Sequence, residues 1–426
     1  MRYLYSALLY FLLPFILLRM LLRSRKAPAY RRRWGERLGF LSTPAGFADS
    51  PVIWVHAVSV GETLAAVPVI EQLLQDRPDH QIVVTTTTPT GSDRVKAQFG
   101  DRVLHVYGPW DLPGAVKRFL KLTQPRLVVI METELWPNLL HYSKASGARI
   151  LLANARLSER SARGYGRFAA LTAVMLQQLD AVACQSEADG QRLLNLGLPE
   201  SALHITGSIK FDLELNQELK SQASNLQGEL RSAQRPVLVA ASTQPGEDEE
   251  ILSAFSEVRA VYPDCLLLLV PRHPERFDAV YRLARDAQWQ VQRRSCGNTV
   301  GPEHDILLGD TMGELRLLLS AATVAIIGGS LVEHGGQNLL EAAAWGVPVV
   351  CGPHMFNFAE ISQLMLEAGG MVQLDDSAEL SDCLLELLSD PARCEQMGAA
   401  GLQVVQNNRG ARQRLMVLVE EQLSGA

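Results

Sequence analysis

The chain has 426 residues, a formal net charge of −6, 20% charged and 47% hydrophobic residues. That length accommodates about two or three domains, and the apolar fraction excludes a disordered or fibrous chain. The charge is unevenly placed. Through Phe40 there are nine basic residues and one acidic, a net of +8, leaving 31 basic and 45 acidic residues in the rest, a net of −14. An acidic body argues against a nucleic-acid partner, while the basic head needs its own explanation.

Residues Tyr3–Leu22 are almost entirely apolar, interrupted mainly by Ser6, Pro14 and Arg19. About 20 such residues can cross a bilayer, so the run qualifies as a membrane anchor, either spanning or lying in the interface. Arg23, Arg25, Lys26, Arg31, Arg32, Arg33 and Arg37 follow it. Basic residues gather on the cytoplasmic flank of membrane segments, which predicts a cytosolic body. They could also touch anionic headgroups. A cleaved signal peptide carries its charges before the apolar run, the reverse of this order, although Ala27-Pro28-Ala29 faintly imitates a cleavage site.

From Ser50 onward, short apolar runs alternate with polar loops and helical stretches. One series holds Val52–Ala57, Ile82–Thr87, Leu127–Met131, Ile150–Ala153 and Ala181–Cys184. A second holds Val237–Ala241, Leu266–Val270, Ile306–Leu308, Val324–Ile327 and Val347–Val350. Strands that are apolar on both faces and alternate with helices predict parallel sheets covered on both sides. The fold class is therefore α/β, with two doubly wound Rossmann-like domains. Boundaries follow as anchor 1–24, first domain 25–212, a polar linker 213–235, and second domain 236–426. A ligand cleft at the C-terminal ends of the strands is expected. Six cysteines lie far apart with no C-x-x-C pair, which suits buried free thiols and gives no zinc spacing.

The polar loops at strand ends could carry chemistry. In His56–Thr63, Gly61 permits a tight turn and Glu62 falls in the first turn of a helix. Glu62 reads either as a helix cap or as a general base, with the helix N-terminus expected to lower its pKa. Met131–Asn138 places Glu132 and Glu134 two residues apart beside Trp136, either an acid/base pair or helix-start acids. Lys210, in Gly207–Asp212, could neutralise an anionic ligand or simply be solvated.

In the second domain, Ser242 and Thr243 open a turn that could cradle a phosphate or cap a helix. Arg272, after Pro271, offers a fork for phosphate or carboxylate. Gly309–Glu314 follows another strand. The richest stretch is Gly328–Glu341, with paired glycines, Asn338 and a Glu341 able to accept from ribose hydroxyls. It is neither a phosphate-binding G-x-x-x-x-G-K-[ST] loop nor a G-x-S-x-G elbow. His273, His334 and His354 are single loop histidines, and none is expected to hold a metal.

These motifs in order, His56–Glu62, Met131–Asn138, Gly207–Asp212, Pro271–Phe277, Gly309–Glu314 and Gly328–Glu341, resemble the bacterial 3-deoxy-D-manno-octulosonic acid (Kdo) transferases. Glu341–Pro348 alone resembles the donor site of GT-B glycosyltransferases more generally. The resemblance covers nearly the whole chain, anchor and Arg31–Arg37 included. It implies a GT-B fold and an inverting transfer from CMP-Kdo to lipid IVA, the lipid A precursor, with no metal or other cofactor. By that likeness Glu62 is the general base, and Glu132 and Lys210 support the transition state. Pro271, Arg272, Met312, Gly313, Glu314, Asn338, Leu339, Leu340 and Glu341 would hold the CMP moiety. The alternative is a membrane-associated GT-B enzyme that uses another nucleotide sugar, such as a UDP-sugar.

Overall fold

The computed structural model describes residues 1–25, 28–42, 47, 50–230 and 235–425. Lys26 and Ala27 of the basic flank, and 231–234 of the segment read as a linker, lie outside them. The chain divides into two compact units, Met1–Asp212 with Arg409–Ala426, and Leu213–Asn408.

The first unit is built on a seven-stranded sheet. Its strands are β1 Val52–His56, β2 Gln81–Thr86, β3 Leu104–Tyr107, β4 Pro125–Met131, β5 Arg149–Ala155, β6 Ala181–Cys184 and β7 Leu203–Ile205. They lie in the order β3-β2-β1-β4-β5-β6-β7, with every pairing parallel. Alternate side chains of β1 feed the two faces: Trp54 packs with Phe119 and Leu139, while Ile53 and Val55 pack with Ile70 and Val129. No edge faces water along the central strands, so each reads as a continuous apolar run.

The second unit repeats the plan. Its strands are β8 Val237–Thr243, β9 Leu266–Pro271, β10 Val291–Arg293, β11 Ile306–Leu308, β12 Val324–Ile327, β13 Val349–Cys351 and β14 Met371–Gln373. Their order is β10-β11-β9-β8-β12-β13-β14, again parallel throughout.

Two boundaries differ from those drawn on composition. The segment from Leu213 is part of the second unit: helix Gln217–Leu230 buries Ala223, Leu226 and Leu230, and Gln227 Nε2 donates to Ser320 O at 2.6 Å. Three apolar residues at helical spacing suffice to dock it, although the rest is polar. The C-terminal helix Ala411–Ser424 belongs to the first unit, where Leu415, Met416, Leu418 and Val419 join the cluster that holds Ile53 and Val55. Asp212 accepts from the backbone N–H of Gly410 at 2.6 Å and of Arg412, which fastens the returning chain.

Helix Arg2–Arg23 is the segment among the described residues long and apolar enough to cross a membrane, and it is mostly exposed.

Candidate active site

β1 ends in His56, which is fully buried with Nδ1 2.7 Å from Thr85 Oγ1. Burial pushes its pKa down to about 3, so the ring is neutral. The next turn starts helix Val60–Asp76 with a reciprocal cap: Ser59 Oγ accepts from Glu62 N at 3.2 Å, and Glu62 Oε1 accepts from Ser59 N and Oγ. Glu62 Oε2 accepts from Val58 N at 2.7 Å. The carboxylate is only 6% exposed. Burial raises its pKa against those donors, the opposite of the direction expected at a helix N-terminus, because desolvation outweighs the favourable dipoles.

The register His56↔Ile130 sets β4 beside β1, so the loop after Met131 runs next to the Glu62 turn. Trp136 bridges them. Its ring meets His56 edge-on at 5.0 Å, and its Nε1 donates to Glu134 Oε2 at 2.9 Å. Glu134 Oε1 has no hydrogen bond among the described residues. Burial first, and then the negative charge of Glu62, lift Glu134 to about 7. Glu132 adopts φ 55° and meets two cations, Arg156 Nε at 3.1 Å and Lys210 Nζ at 3.9 Å. The site thus gathers Glu62, Glu132, Glu134, Arg156 and Lys210 at the ends of β1, β4, β5 and β7.

Two residues that contact this cluster carry no motif signal in the sequence. Arg156 sits in a polar stretch after β5 with no motif around it. Asn154, at φ 54°, accepts from Ile209 N at 3.1 Å through Oδ1, which ties β5 to the turn bearing Lys210. Its only signal is a polar residue closing an apolar strand.

In the second unit, Glu247 is fully buried and fills the turns at the ends of β8 and β12. It accepts from Gln244 N, Gly329 N, Ser330 N and Leu331 N at 2.6–3.1 Å. Thr243 is also fully buried, with its hydroxyl donating to Asp248 Oδ1 at 2.6 Å. Ser242, at φ 62°, is packed so tightly that a Cβ on Gly328 would lie 2.3 Å from its carbonyl oxygen. The Thr243 hydroxyl and the Gly329–Leu331 amides are thus engaged by Asp248 and Glu247, while neither Ser242 nor Thr243 caps the Asp248–Val261 helix, whose N-cap is Glu247.

Arg272 extends from the end of β9, half-buried and with no side-chain hydrogen bond among the described residues. Its charge bears on Glu341. Desolvation raises the Glu341 pKa, partly offset by Arg316 and Arg272. Met312 and Gly313 form an exposed turn, with Gly313 at φ 88°. Burial tends to raise Glu314, but its bonds to Arg294 and Thr311 leave its pKa lowered. Asn338 Oδ1 accepts from Leu340 N at 3.2 Å. Leu339 and Leu340 point into the core and are fully buried, so neither offers a side chain to a ligand.

Residues 32–213 match the family described as 3-deoxy-D-manno-octulosonic-acid transferase (kdotransferase). A transferase of that name from Haemophilus influenzae is 44% identical over 423 residues, covering 99% of both chains. The chain belongs to the Kdo transferase family. A Bordetella pertussis Kdo transferase is 38% identical, also over 99% of both chains. Residues 250–404 of this Kdo transferase match the glycosyl transferases group 1 family, a span that takes in the Gly328–Glu341 turn. A UDP-GlcNAc 2-epimerase from Neisseria meningitidis, solved with UDP-GlcNAc, shares the fold at a TM-score of 0.56, covering 88% of this chain and 100% of its own, at 14% identity. The family matches make the chain a glycosyltransferase, and its two Rossmann-like units are those of the GT-B fold.

Proposed function

We propose that this Kdo transferase moves Kdo from CMP-Kdo to a glucosamine hydroxyl of lipid IVA, with inversion, at the cytoplasmic face of the inner membrane. The observation that carries the reading is Glu62: a buried carboxylate of raised pKa, grouped with Glu132 and Lys210 as the family motifs require. Desolvation makes Glu62 a stronger base than a carboxylate in water, while the three Val58 and Ser59 donors keep it oriented.

In one displacement the acceptor hydroxyl's proton passes to Glu62 as its oxygen bonds the anomeric carbon. The bond from that carbon to the CMP phosphate oxygen breaks, and its electron pair leaves with CMP. Lys210 offsets the charge of the Kdo carboxylate and the departing phosphate, and Glu132 holds Lys210. In the second unit, Pro271, Arg272, Met312–Glu314 and Asn338–Glu341 would hold CMP, with Leu339 and Leu340 limited to their backbone. The charge compensation comes from the chain's own cations, and the reading includes no metal or other cofactor.

The test is to incubate purified enzyme with lipid IVA and CMP-Kdo, with UDP-sugars in parallel, and weigh the products. Mass steps of one or more Kdo residues are expected from CMP-Kdo alone. Transfer from a UDP-sugar instead would overturn the donor assignment.

A further inference from the structure

Helix Arg2–Arg23 has two opposite faces, one exposed and one bonded to the body at the helix start. Leu4, Leu8, Phe11, Phe15, Leu18 and Leu22 recur at intervals of four and three, forming one stripe, and all six are exposed. On the other side the less exposed Leu9, Leu13, Ile16, Leu17 and Met20 follow the polar residues that start the helix. Those polar residues are bonded to the globular body. Arg2 Nη1 donates to Asn138 Oδ1 at 3.2 Å and to Tyr142 OH at 3.1 Å. The buried Ser6 donates to the same Asn138 oxygen at 3.0 Å, and Tyr10 OH accepts from Gly114 N at 3.1 Å.

Asn138 is fully buried. Nδ2 donates to Asp111 O at 2.7 Å, and Oδ1 takes the bonds from the helix. Lifting the helix away would strip Oδ1 of both donors. A transmembrane segment, by contrast, must be surrounded by hydrocarbon or protein over about 20 residues. Within the first ten residues here, Arg2, Ser6 and Tyr10 are instead bonded to Asn138, Tyr142 and Gly114 of the globular body.

We propose that this helix does not cross the membrane but lies in its plane, docked on the body through Arg2, Ser6 and Tyr10, with the Leu4-to-Leu22 stripe sunk into one leaflet of an anionic bilayer. Charge supports a lipid surface over a second copy of the chain. Arg19 and Arg25 are exposed near one end of the helix. At the other end, Tyr142 lies under both Arg2 and Lys117, and with Lys117 and Lys121 it lines a groove of about 360 Å³. Anionic headgroups neutralise cations ranged beside the stripe, whereas the apolar stripe of a second copy offers them no counter-charge. Asn138 lies in the first turn of helix Pro137–Ala145, directly after the loop that carries Glu132 and Glu134, so the in-plane helix fastens the end of that loop at the membrane surface. The proposal does not depend on which donor or acceptor the enzyme uses.

The test uses the full chain with an epitope at its N-terminus in sealed spheroplasts and in inverted vesicles. Protease is expected to reach tag and body together in inverted vesicles and neither in spheroplasts; a tag cleaved in spheroplasts would show a spanning helix and overturn the proposal. The triple variant Leu8→Ser, Phe11→Ser, Phe15→Ser should lose at least 10-fold in flotation with phosphatidylglycerol-containing vesicles while keeping its fold by circular dichroism. Unchanged flotation, or a dimer turned monomer with flotation intact, would show that the stripe does not sit in lipid.

Discussion

Ser59 and Glu62 cap each other across the first turn of the Val60–Asp76 helix, the hydroxyl accepting from Glu62 N while the carboxylate accepts from Ser59 N and Oγ. One carboxylate therefore has a structural and a chemical task, and substitution can separate them. Glu62→Gln keeps one carbonyl oxygen, enough for the Ser59 donors or for Val58 N–H but not both, so stability should fall by about 1 kcal/mol, whereas Glu62→Ala loses every acceptor and should fall further. Both should retain CMP-Kdo binding and lose transfer by at least ~100-fold, the usual contribution of a general base. Near-wild-type turnover of Glu62→Gln in the mass assay would remove Glu62 from the chemistry.

Glu134 gives the fold a predictable pH dependence. Its folded pKa of about 7 lies above the ordinary 4.5, so between those values the folded state holds a proton that the unfolded chain has lost. Its contribution is therefore complete below about pH 4.5 and is lost as pH rises through about 7, a swing of up to about 3 kcal/mol. Glu134→Gln should flatten that part of the melting-temperature profile and be more stable than wild type at pH 8. Parallel profiles for the two proteins would mean that Glu134 is not held protonated.

Lys210 is placed by a residue that never meets the charge it serves. Lys210→Ala should lower kcat by about 10²–10³-fold, as expected for loss of one preorganised electrostatic partner, with little change in melting temperature. Asn154→Ala removes the acceptor for the buried Ile209 N–H and should cost about 1–3 kcal/mol. Its kcat should fall by less than that of Lys210→Ala, and adding back a side-chain acceptor as Asn154→Asp should recover part of it. Equal kcat for wild type and Asn154→Ala would separate this tie from function.

Ten strands are visible in the sequence because they are central, covered on both faces and written as unbroken apolar runs. Leu104–Tyr107, Leu203–Ile205, Val291–Arg293 and Met371–Gln373 are not, and these are the four sheet edges. Each has three or four residues and includes His105, His204, Gln292 or Gln373, tolerated where one side of the strand is unpaired. The same limit hid the domain exchange at the C-terminus, since the Ala411–Ser424 helix looks like any amphipathic helix until its partner is known. At the candidate site, motif order singles out Glu62, Glu132 and Lys210, which the fold brings into one cluster, but whether polar turn atoms face a ligand or each other is a tertiary fact. Thr243 and the amides of Gly329–Leu331 have the composition of an anion cradle, yet Asp248 and Glu247 already occupy them.

That occupancy makes Glu247 the residue whose loss the second unit should feel most. Among the described residues it pairs with no cation and instead collects four backbone N–H groups from two turns, and burial has raised its pKa against them. Glu247→Ala strands all four donors in a buried site, each costing about 1–3 kcal/mol, so a loss of at least about 3 kcal/mol is expected. Glu247→Gln keeps one carbonyl oxygen and should lose roughly half as much, with the amide group set against the N–H of one turn. Because the turns also position Ser330 and the backbone leading to Asn338, CMP protection in a thermal-shift titration should weaken in parallel with stability. A Glu247→Ala enzyme that melts with the wild type would show that the turns close without the carboxylate, and that the amides are available to a ligand after all.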